Sequence, residues 1–79
     1  MEIIEVRPSV FENGRADYIG MVYTKHIVDG EVTMTGSHPL VDHVTRAGCR
    51  KALQMALPAH LKRVYPGAHL KVLPLPSGK

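Results

Sequence analysis

The 79-residue chain has no tryptophan, one phenylalanine and one cysteine. A lone thiol forms no internal disulfide, so the chain falls outside the stapled small-domain class, and a cytoplasmic setting is the default. Scarce aromatics argue against a surface built to stack successive bases of a single strand. No apolar run approaches the ~18 residues of a helical membrane span. The opening "MEIIEVRP" is acidic where a signal or transit peptide would be basic, so neither is expected. Acidic residues also run out: none follows Asp42.

What is present describes an ordinary globular domain. Hydrophobic residues make up 44% and charged residues 22%, too balanced for intrinsic disorder. The length fits a single domain over residues 1–79 with a thin core. Residues 1–35 hold three bases and six acids, and residues 36–79 hold seven bases and one acid. The second half is therefore a candidate for an anionic partner, although two oppositely charged halves also attract each other within one fold.

Along the chain, "EIIEVR" (2–7) is β-branched and bounded by Pro8, the pattern of a first strand. Asn13-Gly14 marks a loop. Asp29-Gly30 suits a two-residue type I′ turn, because both central positions need positive φ. That turn predicts a hairpin pairing Val28 with Glu31, Ile27 with Val32, His26 with Thr33, Lys25 with Met34 and Thr24 with Thr35. Ile19, Met21, Tyr23, Ile27, Val32 and Met34 then form the expected core face, and Tyr18, Val22, Thr24, His26, Val28, Glu31, Thr33 and Thr35 lie on the largely solvated one. Lys25 falls on the core face by this register, so it must snorkel at an edge or the register is wrong.

Ser37 before Pro39 reads as a helix start, with Asp42 near the positive end of the dipole. Helical spacing from Val41 to Ala56 gathers Val41, Val44, Gly48, Cys49, Ala52, Leu53, Met55 and Ala56 on one side. His43, Arg46, Arg50 and Gln54 fall opposite, with Lys62 and Arg63 extending the stripe beyond Pro58, where the helix kinks or restarts. "AHLKVLPL" reads as a last strand, confined to an edge or tail by its prolines. The expected architecture is α+β: a three- to four-stranded antiparallel sheet with one main amphipathic helix on one face, in the order β-β-β-α-(α)-β.

Catalytic and metal chemistry find little purchase. Five histidines (His26, His38, His43, His60, His69) include no HxxxH or HExxH pair, so no metal or other cofactor is expected. Cys49 lies on the apolar side of the helix, where thiols are inert. No two carboxylates are placed together for acid–base work, and no phosphate-cradling glycine loop or nucleophile elbow occurs. The expectation is a non-enzymatic interaction module for a protein or ribonucleoprotein, with nucleic acid as the alternative partner. Its first candidate surface is the stripe His43, Arg46, Arg50, Gln54, Lys62 and Arg63. Its second is the sheet face carrying Tyr18, Thr24, His26, Thr33 and Thr35. A homodimer through an exposed sheet edge is a further expectation.

Two resemblances bear on this. With its β-β-β-α order, "TRAGCRKALQMAL" resembles the C-terminal part of a double-stranded-RNA-binding domain, which presents basic residues at the helix start to phosphates. Here that start offers His38, His43 and Arg46, and the family's first helix has no counterpart. The truncated layout is similar to the N-terminal domain of HicB-type antitoxins, whose partner is a small basic toxin. The pattern "GSHP…RKALQMAL" (Gly36, Ser37, Pro39, then Lys51, Ala52, Gln54, Met55 and Ala56) resembles a small phage-encoded anti-CRISPR inhibitor. That resemblance implies a compact non-enzymatic protein from a phage or mobile element that binds a CRISPR ribonucleoprotein or blocks its access to DNA.

Overall fold

The computed structural model describes residues 1–14 and 17–76. Three long strands, β1 (Glu2–Glu12), β2 (Tyr18–Val28) and β3 (Glu31–His43), are followed by helix α1 (Arg46–Val64) and a short β4 (Leu70–Val72). The sheet order is β3-β2-β1-β4, with β1, β2 and β3 antiparallel and β4 parallel to β1. The α+β expectation is met, with a mixed sheet rather than an all-antiparallel one. Parallel pairing follows from the route: α1 carries the chain across the sheet from the β3 edge to the β1 edge, the crossover that parallel strands require.

β1 runs five residues past its expected end, through Pro8. The ladder explains why proline is tolerated. Ile4 N–H donates to His69 and Val6 C=O accepts from Leu73, so even-numbered residues of β1 turn their backbone groups toward β4. Pro8 shares that parity. Its missing N–H lies beyond the end of β4, and the β1–β2 ladder loses nothing. The same alternation carried through β2 turns Pro39, paired with Met21, toward the free edge of β3.

The hairpin turn forms as its sequence demands, with φ of 51° at Asp29 and 85° at Gly30. Val28 pairs with Glu31 and Ile27 with Val32, as expected. A β-bulge then inserts Thr33, whose hydroxyl donates to the His26 carbonyl over 3.2 Å. From there the register shifts by one: His26 pairs with Met34, Lys25 with Thr35 and Thr24 with Gly36.

The two faces of the sheet are the reverse of the expected ones. Ile4, Val6 and Val22 are buried against α1, together with Cys49, Leu53, Leu57 and Leu61 of the helix. Ile19, Met21, Tyr23, Lys25 and Ile27 project to the face the helix does not cover. Lys25 is exposed there, so the conflict at that position arose from the face assignment. The helix selects the other face because small residues line it. A Cβ on Gly20 would meet Val41 Cγ2 at 2.7 Å and two atoms of Leu53 at 3.3 Å, so that glycine lets the helix approach.

The helix start is also corrected. Ser37 and Pro39 belong to β3, and α1 begins after Thr45, whose hydroxyl accepts from the Gly48 N–H over 3.0 Å. Pro58 neither splits nor ends the helix, and the expected second helical segment is part of α1. An interior proline costs about 3 kcal/mol. Leu57 and Leu61, buried on either side of it, anchor the second half and offset that cost.

Leu53 is fully buried at the centre of this contact, whereas Met55 is 72% exposed two residues on. Leu53→Ala is expected to destabilise the fold by about 3 kcal/mol. Met55→Ala should change it by less than about 0.5 kcal/mol. Urea denaturation of the two variants checks both values.

Candidate functional site

Three surfaces carry the polar and titratable groups: the flanks of α1, the seam between α1 and the hairpin, and the uncovered sheet face. Helix α1 contains Arg46, Arg50, Lys51, Lys62 and Arg63 and no acid. Its buried line Cys49, Leu53, Leu57 and Leu61 repeats every four residues and marks the side toward the sheet.

The expected stripe does not stay together on the outer side. Arg46 and Arg50 are half-buried beside the leucine line. The Arg46 guanidinium lies 5.0 Å from the centre of the Tyr18 ring, a cation–π contact back to β2. Arg50 donates to the Pro76 carbonyl and holds the C-terminal segment against the helix. His43 belongs to the end of β3, where its Nδ1 accepts from the Thr45 N–H over 3.2 Å. It takes the part that an acidic side chain three residues into the helix plays in a capping box. Its ring also occupies the space a Cβ on Gly48 would fill. Gln54, Lys62 and Arg63 are exposed. Lys51 is exposed and shares the outer side with Met55, Ala59 and Lys62. Lys51, Lys62 and Arg63 take part in no ion pair among the described residues.

The second expected surface is divided as well. Tyr18, Thr24 and His26 lie on the helix side of the sheet, Thr33 is in the bulge, and Thr35 alone is on the uncovered face. His26 belongs to a seam that sequence reasoning missed. Its ring meets Tyr65 edge-on at 5.7 Å, and His38 of β3 stacks on His60 of α1 at 5.4 Å with planes 7° apart. The missed signal was parity: once Val22 is placed inward, His26 and His38, both on the helix side by register, come with it. Burial chiefly, with His38 and Arg63 nearby, holds the His60 pKa below its ordinary 6.5. Its Nδ1 is buried without a hydrogen-bond partner among the described residues. Two nearly parallel rings do not converge their nitrogens on one ion, and no group of three or more metal-ligating side chains occurs among the described residues.

Cys49 is fully buried, and burial first, with Asp42 second, raises its pKa. It is a packed thiol rather than a thiolate nucleophile.

The uncovered face is ordered in rows across the three long strands. Ile3, Ile27 and Val32 form the row nearest the hairpin turn. Glu5, Lys25 and Thr35 form the next, and Arg7, Tyr23 and Ser37 the one after. Arg7 lies 5.2 Å from the Tyr23 ring centre, and Phe11 meets that ring edge-on at 6.1 Å. The two central rows surround a shallow depression of about 350 Å³. Only the strand parity identifies this face as open. The helix spacing then leaves its residues without a cover.

Comparison of the chain with protein-family models, with curated proteins and with solved structures finds no match to any of them.

The lowered His60 pKa has a consequence for stability. Below pH 6.5 the unfolded chain binds a proton at this residue more readily than the folded one does, so acid favours unfolding. The contribution is complete above the unfolded pKa and is lost as pH falls toward the lower folded value. Denaturation midpoints should drop as the pH falls below about 6.5, and His60→Gln should make that drop smaller. An unchanged pH dependence in the variant would sink this assignment.

Proposed function

We propose that this chain is a non-enzymatic interaction module that docks on a protein or ribonucleoprotein through the outer side of α1. The observation that carries the reading is the charge of that side. Lys51 and Lys62 are exposed there on the same side as an exposed methionine, Met55, with exposed Arg63 at its flank, on a helix with no acidic residue. Cations beside an exposed apolar side chain suit an acidic partner surface with a shallow apolar socket, because charge steers the encounter and the apolar contact supplies affinity. Arg46 and Arg50 are committed to contacts within the fold, so they support the helix rather than meet the partner.

A module of this kind acts by occupying a surface. That is the mode of the small phage-encoded inhibitors the sequence resembles, and inhibition of a ribonucleoprotein is the specific form we favour. Burial of the single thiol supports a binding role over thiol catalysis.

Nucleic acid is the second reading, favoured by the same unopposed charge. Titration of duplex RNA, duplex DNA and single strands at two salt concentrations separates the two. A nucleic-acid module binds with steep salt dependence, and a Lys51→Glu/Lys62→Glu/Arg63→Glu variant flattens the slope. A protein-binding module shows weak binding to all three. Its capture of a partner from a ribonucleoprotein fraction should fall about tenfold or more in the same variant. Equal capture by the variant and the parent chain would overturn the reading.

A further inference from the structure

We propose that the uncovered sheet face seats a second copy of this chain, giving a two-fold dimer with the two sheets face to face and a helix outside each.

The proposal starts from the arrangement of charge. The two central rows hold one acid and two bases, and Glu5 and Arg7 occupy adjacent rows of the same strand. A two-fold axis lying between the sheets, perpendicular to the strands and between these rows, reverses the second copy. It sets the Glu5 row of each copy over the Arg7 row of the other. Glu5 then faces Arg7, Lys25 faces the Tyr23 ring and Thr35 faces Ser37, each contact made twice. These are acid on base, cation on ring and hydroxyl on hydroxyl.

The next rows out follow the same operation. Ile27 meets Met21, Val32 meets Pro39 and Ile3 meets Ser9. Val32 is 54% exposed in the single chain and gains cover in the pair. Aligned sheets pack about 10 Å apart, close enough for these side chains to interdigitate.

The size of the face is sufficient. The two-fold overlaps nine residues of β1 and of β2, about 31 Å, and three strands side by side cover about 14 Å. That is a flat footprint of roughly 430 Å² per copy, and side-chain relief brings the accessible area close to the ~1,000 Å² total of a specific interface.

The edges of the sheet are poorer sites for self-association. Pro39 removes an outward donor from β3, which also carries two register irregularities, and Pro8 removes one from the free part of β1. Bulges and prolines at edges are devices that oppose strand addition. The proposed dimer thus uses the face in place of the sheet edge expected from the sequence.

Sedimentation equilibrium over about 1 to 300 μM tests the proposal, with Glu5→Arg, Arg7→Glu, the double exchange and Val32→Lys alongside. Circular dichroism establishes that each variant is folded. The parent chain should dimerise. Each single exchange sets like charges opposite one another twice and should weaken the dimer by about tenfold or more. The double exchange restores opposite charges and should return to within about threefold of the parent. Val32→Lys, at an exposed position, should weaken the dimer without unfolding the chain. The proposal is overturned by a parent chain that stays monomeric, by single exchanges that leave association unchanged, or by a folded double exchange as weak as the singles.

Discussion

One helix cannot cover both sides of a sheet. The 19 residues of α1 bury their Cys49–Leu53–Leu57–Leu61 line against Ile4, Val6 and Val22, and this contact holds the domain together. Its geometry depends on Gly20, where a larger residue would collide with Val41 and Leu53. Everything else follows from which face the helix takes. The seam of His26, His38, His60 and Tyr65 lies along the covered side. The rows of Glu5, Arg7, Tyr23 and Lys25 stand on the uncovered one.

The distribution of charge follows the same division. Arg46 and Arg50 begin as surface bases by spacing, yet both lie beside the leucine line and are drawn into contacts with Tyr18 and with the Pro76 carbonyl. The bases left on the outer side are Lys51, Lys62 and Arg63. Lys62 and Arg63 also stand in the last turn of α1, where they favour the negative end of the helix dipole. The helix side is thus cationic, while the central rows of the sheet face mix both signs. A cationic surface suits an anionic partner, and a mixed one suits its own inverted copy.

The prolines show how local rules are satisfied by position. Pro8 and Pro39 sit within strands because their missing donors point away from the neighbouring ladder. Pro58 sits within α1, exposed, while buried leucines on both sides keep the helix on the sheet. Starting the helix near Ser37 drew Val41 and Val44 into the helical pattern, and reading Pro58 as a break removed Leu57 and Leu61 from it, so Val44 and Met55, both more than 70% exposed, helped set its apolar side. These two steps together rotated the helix and placed Arg46 and Arg50 on the wrong side.

Local chemistry was legible from the amino-acid sequence alone. It determined the α+β class, the Asp29-Gly30 turn with its first two pairs, the inert burial of Cys49 and the surplus of bases in the second half. Each of these depends on a residue and its near neighbours. Tertiary structure decided the rest: the bulge at Thr33, the extension of β3 through Pro39, the continuity of α1 and the face the helix covers. The large apolar residues of β2 pointed to the opposite face. The helix lies instead where Gly20 and Val22 permit close approach and where Ile4 and Val6 of a neighbouring strand complete the contact. That outcome depends on the fit of three segments at once, and no single stretch of sequence contains it.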